Sequence, residues 1–242
     1  MQWPECYWLS NSTGPGPFCK AILIIVNSIV DSLNTLPSFI YLASQSPRRQ
    51  ELLKQMGIRF EMLLPLPGED SESIETPLPQ EKARIYVERV TLAKTAAAVA
   101  RWKKSGLPWA PILCADTTVS LPNYPDGEIL GKPIDAADAA RILTMLSGKV
   151  HEVLSSVAVT VKPDENPIQL TQVSQVQFSN LTRQQIDAYI ASGEPFGKAG
   201  AYGIQGLGGA LIPSIKGSYS GIMGLPIYET QLLLDRAQVS SI

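Results

Sequence analysis

Ser44-Gln-Ser-Pro-Arg-Arg49 sets two hydroxyls and two guanidiniums around a proline that can open a helix. A helix N-terminus presents unpaired N–H groups and the positive end of its dipole, which attract phosphate. Ser44 and Ser46 could add hydroxyl donors, and Arg48 and Arg49 could add forked cations that match phosphoryl oxygens. Taken alone, the pattern is as well explained by a capping serine followed by two solvated arginines. Cys114-Ala-Asp116-Thr117-Thr118 ends an apolar run on a carboxylate. In open α/β sheets, ligands gather outside the carboxyl ends of strands, and a buried carboxylate needs a cation beside it; the plainer alternative is an Asp that caps a turn. Gly68-Glu-Asp-Ser-Glu-Ser73 is an acidic loop that could hold a hard divalent cation, or simply solvated charge. Ile129-Leu-Gly-Lys-Pro133 offers one lysine, Lys132. Gly197–Gly209 carries six glycines with Lys198 and Gln205 among them. It is neither a Walker loop nor a strand-linked GxGxxG. Its glycines could admit a ligand close to the backbone, with Lys198 on a phosphate and Gln205 on a base edge; otherwise it is a flexible turn.

These clusters fall at junctions between elements. Ile40–Ser44 reads as a strand, and Ser46-Pro47 opens a helix to Met56 that Gly57 stops. Ile58–Leu64 is a second strand, and Pro65–Leu78 an acidic loop. A long helix is expected from about Pro79 to Lys104, with Tyr86, Val87, Val90, Ala93, Ala97 and Ala100 on its apolar face. Ile112–Ala115 runs as a strand toward Asp116, with Thr117–Leu121 continuing it. Pro125-Asp126-Gly127 is a turn. Asp135 caps a helix to Leu146. Val150–Val161 and Gln169–Phe178 form a strand pair. Thr182-x-x-Gln185 is a capping box for a helix to Ser192. Ala210–Ile215 is read as a strand and Leu225–Ala237 as the last helix. The alternation indicates an α/β domain with a mixed sheet.

Composition narrows the chemistry. The 242 residues are 45% hydrophobic and 17% charged with net charge -2, which suits a globular chain and gives no bulk attraction to nucleic acid or an anionic membrane. One histidine and three dispersed cysteines cannot build a His-rich or CxxC zinc site or a secreted disulfide framework. A cytoplasmic protein using either no metal or a hard one is expected. Met1–Phe39 differs from the rest. Its Ala21–Val30 run contains Asn27 and Ser28 and is too short for a membrane span, which takes ~20 residues. It also lacks the charge pattern of a signal peptide. Residues 1–39 are read as an accessory extension and 40–242 as the working domain.

In their order along the chain, several segments resemble the Maf family of nucleotide pyrophosphatases. They are Leu42-Ala-Ser-Gln-Ser-Pro-Arg-Arg-Gln-Glu-Leu-Leu53, Cys114-Ala-Asp-Thr-Thr-Val119, Ile129-Leu-Gly-Lys-Pro133, Leu146-Ser-Gly-Lys-Val-His151, Lys198-Ala-Gly-Ala-Tyr-Gly-Ile-Gln-Gly206 and Gly217-Ser-Tyr-Ser-Gly-Ile-Met-Gly-Leu-Pro226. The resemblance implies an elongated mixed sheet with flanking helices, two lobes around a central cleft, and a possible homodimer. It implies cleavage of nucleoside triphosphates between the α and β phosphates with a divalent cation, Mg²⁺ or Mn²⁺. By the same resemblance Asp116 is the proton acceptor, and Glu69 with Asp116 holds the metal. Ser44, Arg49, Lys94, Lys132 and Lys198 line the phosphate path, and Arg48, Thr117 and Gln205 separate the substrate branches. The Lys198–Gly206 segment resembles the branch acting on dTTP and UTP. The family is also associated with septum inhibition, so a nucleotide-binding regulator of cell division is the alternative. The acidic loop departs from the usual family pattern, so Asp70 or Glu72 could replace Glu69, and Cys114 stands where the family often has glycine.

Overall fold

Strand β1 (Ile40–Leu42) is fully buried and runs parallel to a neighbour on each side, β2 (Phe60–Met62) and β3 (Ile112–Leu121). The computed structural model describes residues 39–66, 68–69, 73–122 and 128–239, all within the compact unit Pro37–Ile242. Nearly all of the expected extension, with its Ala21–Val30 run, and the Pro125-Asp126-Gly127 turn lie outside the described residues. Beyond β3 the sheet continues antiparallel through β5 (Val150–Thr160), β6 (Ile168–Gln177) and β7 (Ser214–Lys216), while β4 (Glu128–Leu130) pairs with the far end of β3. The result is a seven-stranded mixed sheet flanked by helices.

The helices follow their sequence signals with local exceptions. Helix α1 (Pro47–Gln55) starts at the predicted proline, yet Ser46 in the cap position makes no side-chain cap bond. Instead the Ser46 amide donates to Ser44 Oγ at 3.2 Å. Helix α2 (Ala83–Ser105) begins four residues later than Pro79 and ends on Gly106 in the left-handed conformation. Its buried face is also turned from the expected alanine stripe. Ala100 is exposed, whereas Thr91, Thr95, Ala98 and Arg101 are buried. The threonines tolerate burial because their hydroxyls bond the carbonyls of Val87 and Thr91 one turn back. Helix α3 (Ala136–Leu146) is capped by Asp135, which accepts from the Asp138 amide at 2.7 Å. Helix α4 (Arg183–Ala191) opens with the full Thr182–Gln185 capping box.

The expected strand Ala210–Ile215 is mostly absent. A 3₁₀ turn occupies Leu207–Leu211 and only Ser214–Lys216 joins the sheet. Glycines at 206, 208 and 209 favour a tight turn over an extended run, and β6 offers register only at Gln175–Gln177. Two short helices finish the chain, α5 (Tyr219–Met223) and α6 (Ile227–Arg236). Among the described residues no helix is long and apolar enough to cross a membrane.

The core is divided in a way that leaves room for a site. One apolar cluster joins β1, α1 and α6 through Leu42, Leu53, Leu113, Val157 and Leu234. Another gathers α3, α4 and the outer parts of β3, β5 and β6 around Leu143, Phe178 and Tyr202. These two lobes meet along β3. Its register with β1 ends at Leu42↔Leu113, and its register with β4 begins at Val119. Among the described residues, Cys114–Thr118 therefore has β5 on one side and no strand partner on the other, and Asp116 and Thr117 sit in that gap.

Candidate active site

A cavity of about 520 Å³ opens at this gap, beyond the carboxyl end of β1, where open α/β sheets place their ligands, and beside the middle of β3. From α1 and its lead-in it takes Ser44, Arg48 and Arg49; from α2, Lys94 and Arg101; from β3, Asp116 and Thr117. Lys132 follows β4, and Lys198 and Gln205 come from the glycine-rich run.

The deep end is an alternating charge network. Asp116 is 7% exposed. Its Oδ1 accepts from Lys94 Nζ at 2.6 Å, and the same ammonium donates to Glu75 Oε1 at 2.6 Å. The other Glu75 oxygen accepts from Lys132 Nζ at 2.7 Å. Burial raises the Glu75 pKa, but the Lys94 charge and the hydrogen bonds from Lys132 and Lys94 outweigh it and hold the carboxyl at about 2. Glu75 lies on a 3₁₀ turn, Ser73–Glu75, whose carbonyls α2 grips: Tyr86 Oη donates to Glu75 O at 2.8 Å, and Arg89 reaches Ile74 O and Thr76 O. Helix α2 thus positions both Lys94 and the carboxylate that Lys94 meets.

Glu69, the acidic residue expected from the sequence, is elsewhere. Its carboxylate accepts from Arg101 at 2.5 to 3.2 Å, Arg101 also donates to Leu63 O, and Glu69 does not line the cavity. The other two candidates, Asp70 and Glu72, lie outside the described residues. Four acidic residues stand close together between residues 69 and 75. No local pattern separates them; of the two that are described, Glu75 meets Lys94 and Glu69 meets Arg101.

The α1 end is cationic and held from across the fold. Arg48 Nε donates to Met223 O at 3.1 Å and Arg49 Nε to Gly224 O at 2.9 Å. Two successive carbonyls of the α5–α6 connection therefore orient two successive guanidiniums. Arg49 Nη1 also reaches Ser44 Oγ at 3.0 Å. Burial pushes the pKa of both arginines down, and for Arg49 the Asp116 charge opposes that effect. Thr117 Oγ1 lies 2.8 Å from Ser155 Oγ, which itself donates to Gly221 O at 2.6 Å. The Gly217–Pro226 motif thus anchors β3, β5 and α1 at the cavity wall.

At the far end, Lys198 donates to the Glu194 carbonyl, and Gln205 is exposed on the cavity rim. Burial lowers the Lys198 pKa, with the Arg48 charge acting in the same direction. The glycines here serve close packing. Gly200 has φ +71°, and a Cβ on it would fall 2.7 Å from Val119 Cγ2.

The single histidine plays no part in this cavity. His151 is fully buried, with Nε2 2.8 Å from Tyr202 Oη in an edge-on cluster with Phe178. Burial pushes its pKa down to about 3. Cys114 is buried beside Asp116, and burial pushes its thiol up to about 11, which keeps it protonated and unreactive.

The donors fit a hard cation. Two carboxylates converge on one ammonium at 2.6 Å each, so the position between them already favours positive charge. Among the described residues no group of three or more His, Cys, Asp or Glu gathers. Two carboxylates without further protein ligands are what Mg²⁺ commonly uses when phosphates and waters complete its shell.

The profile of the Maf family, described as "Maf-like protein", matches residues 39–237. A protein of Burkholderia orbicola named dTTP/UTP pyrophosphatase is 56% identical over 201 residues, which cover 83% of this chain and 94% of that protein. One of the same name from Ralstonia nicotianae is 56% identical, over 83% of this chain and 95% of its own length. A third, from a Polaromonas species, is 52% identical over 82% of this chain and 96% of its own length. Among solved structures, the Staphylococcus aureus Ham1 protein aligns with a TM-score of 0.44 at 14% identity, covering 84% of this chain and 91% of that one.

Proposed function

The chain belongs to the Maf family, and on that premise we propose that it hydrolyses dTTP and UTP between the α and β phosphates, releasing the nucleoside monophosphate and pyrophosphate. The observation that carries this reading is the single cavity wall that sets Asp116, Lys94, Glu75 and Lys132 against Arg48, Arg49 and Gln205. A triphosphate carries about four negative charges at neutral pH, and a converging set of cations answers them.

Each group has a task that its position suits. Asp116 Oδ1 is engaged by Lys94, which leaves Oδ2 to take the proton of the attacking water. Tethered through Nε, Arg48 keeps its outer nitrogens for the phosphoryl oxygens, and Arg49, whose Nη1 meets Ser44, keeps Nη2. The uncapped start of α1 adds backbone N–H groups to the same anion site. Lys94 and Lys132 offset charge on the leaving pyrophosphate. Gln205 offers an amide whose donor and acceptor match a pyrimidine edge. Glu75 and Asp116 would hold the divalent cation, which when bound neutralises phosphate charge and makes water more acidic. Residues 40–242 carry the activity, the preceding segment is accessory, and the protein works in the cytoplasm. The relatives named above are all pyrophosphatases by name, which gives the cell-division regulator no support.

The test is a nucleotide panel with Mg²⁺ or Mn²⁺, run on the full chain, on a chain starting at Phe39, and on Asp116→Asn. dTTP and UTP should yield monophosphate and pyrophosphate, the shortened chain should match the full one, and Asp116→Asn should lose ~10²–10⁴ in kcat. Release of orthophosphate from the γ position would refute the assigned bond. A preference for purine triphosphates would refute the substrate class.

A further inference from the structure

Glu194 lies outside every motif read for chemistry, in the turn after α4, yet the glycine-rich run is wrapped around it. Its Oε2 accepts from the Leu207 amide at 2.8 Å. Its Oε1 accepts from the Gly208 amide at 3.0 Å and from Tyr189 Oη at 2.8 Å. That tyrosine oxygen accepts in turn from the Gly203 amide at 3.1 Å. One carboxylate therefore bonds the segment 203–208 at both ends, directly at Leu207 and Gly208 and through Tyr189 at Gly203. Gln205 sits between the two anchor points. The Glu194 main-chain carbonyl accepts from Lys198 Nζ, so the same residue also holds the other polar side chain at this end of the cavity.

The packing leaves the carboxylate no alternative place. A Cβ on Gly206 would fall 2.3 Å from Glu194 Oε2 and 2.7 Å from Oε1. A Cβ on Gly208 would fall 2.6 Å from Tyr189 Oη and 2.8 Å from Gly203 O. The glycines thus make room for an anion seated inside the loop. Burial raises the Glu194 pKa, but the amide donors at Gly208 and Leu207 and the Tyr189 hydroxyl outweigh it and bring the pKa below the usual range, so the residue is anionic near neutrality.

We infer that Glu194 is a positioning residue for base recognition: its carboxylate fixes the 203–208 turn so that Gln205 is presented to the nucleobase end of the substrate. This rests on the proposal that Gln205 reads the base. It predicts a loss confined to binding and discrimination, because the Asp116–Lys94–Glu75 network shares no hydrogen bond with Glu194 among those described.

The experiment compares Glu194→Ala, Glu194→Gln, Gln205→Ala and the Glu194→Ala/Gln205→Ala double variant. It measures kcat and KM for dTTP against dCTP, inhibition by pyrophosphate, and amide hydrogen exchange at Leu207 and Gly208. Glu194→Ala should raise KM for dTTP about tenfold or more, the scale for losing hydrogen bonds to a charged acceptor, and narrow the preference over dCTP. Its kcat should stay within about twofold of the parent, and pyrophosphate inhibition should be unchanged. Exchange at Leu207 and Gly208 should quicken. Glu194→Gln keeps one acceptor oxygen, so its KM should fall between the two. The double variant should be little worse than Gln205→Ala, because both substitutions remove one function. Multiplicative effects, a parental KM in Glu194→Ala, or equal loss in kcat and pyrophosphate binding would each overturn the inference. If Gln205→Ala keeps full discrimination, the base-reading role of Gln205 fails. Unchanged exchange at Leu207 and Gly208 in Glu194→Ala would refute the clamp itself, whatever Gln205 does.

Discussion

Replacing Glu75 by Gln tests the step on which the site most depends, that this carboxylate and not Glu69 faces Asp116. The change keeps the side chain's size and removes the charge that Lys94 and Lys132 share. Glu75 is held at about 2 against an ordinary 4.5. At about 1.4 kcal/mol for each pH unit, that gap corresponds to roughly 3 kcal/mol. The Glu75 side chain is 32% exposed, and solvent screening reduces the figure to about 1.5 kcal/mol. For a domain of this size, each kcal/mol moves the melting temperature by ~2–4 °C, so the expected drop at pH 7 is about 3–6 °C. A carboxylate with a depressed folded pKa stabilises above its unfolded pKa and loses that contribution as pH falls through the folded value. The gap between parent and Glu75→Gln should therefore be full at pH 6 and above, shrink below about 4.5, and close near 2. Activity should fall ~10–100-fold or more, partly recovered by excess Mg²⁺ or Mn²⁺, since loss of a metal-orienting carboxylate weakens metal affinity on that scale. Glu69→Gln, made alongside, loses only the Arg101 pair and should keep parental kcat and metal dependence. Melting curves from pH 3 to 8 and metal titrations of turnover provide the readout. A pH-independent difference in melting temperature, or a greater activity loss in Glu69→Gln than in Glu75→Gln, would refute the reasoning.

The buried histidine and the packed glycines lead to two further expectations. His151 has its pKa pushed down to about 3 from 6.5, so the unfolded chain takes a proton that the folded chain refuses. Stability is lost as pH falls from 6.5 toward 3, by about 1.4 kcal/mol per pH unit over that window. His151→Gln should flatten this acid slope between pH 6 and 4.5 in denaturant titrations, with kcat retained because His151 is outside the cavity; an unchanged slope would count against it. Gly200→Ala puts a Cβ 2.7 Å from Val119 Cγ2 at φ +71° and should cost about 2–3 kcal/mol from crowding and backbone strain together. A melting temperature within 2 °C of the parent would show that the turn relaxes.

Much of this protein is legible along the chain because the signals are local. The proline at the start of α1, the Asp135 cap, the Thr182–Gln185 box and the long apolar runs of β3 and β5 each fix an element within a few residues. Six motifs in their order along the chain indicate the family, and that resemblance names Asp116, Arg48, Arg49, Lys94, Lys132 and Gln205, which line one cavity. Long-range contact decided the rest. The buried face of α2 includes Thr91 and Thr95, whose hydroxyls are satisfied within the helix, which an apolar stripe cannot reveal. Between the two described residues of the acidic loop, Glu69 and Glu75, the one that meets Lys94 is Glu75, nineteen positions away from that lysine. The carbonyls that hold Arg48 and Arg49 lie 175 positions further along the chain. Glu194 carries no motif of its own and gains a role only when the glycine-rich run folds over it. Residue types and spacing determined which groups the chain could bring to a phosphate. Which carboxylate faces which lysine is an electrostatic pairing over a few ångströms, and only the tertiary fold creates those distances.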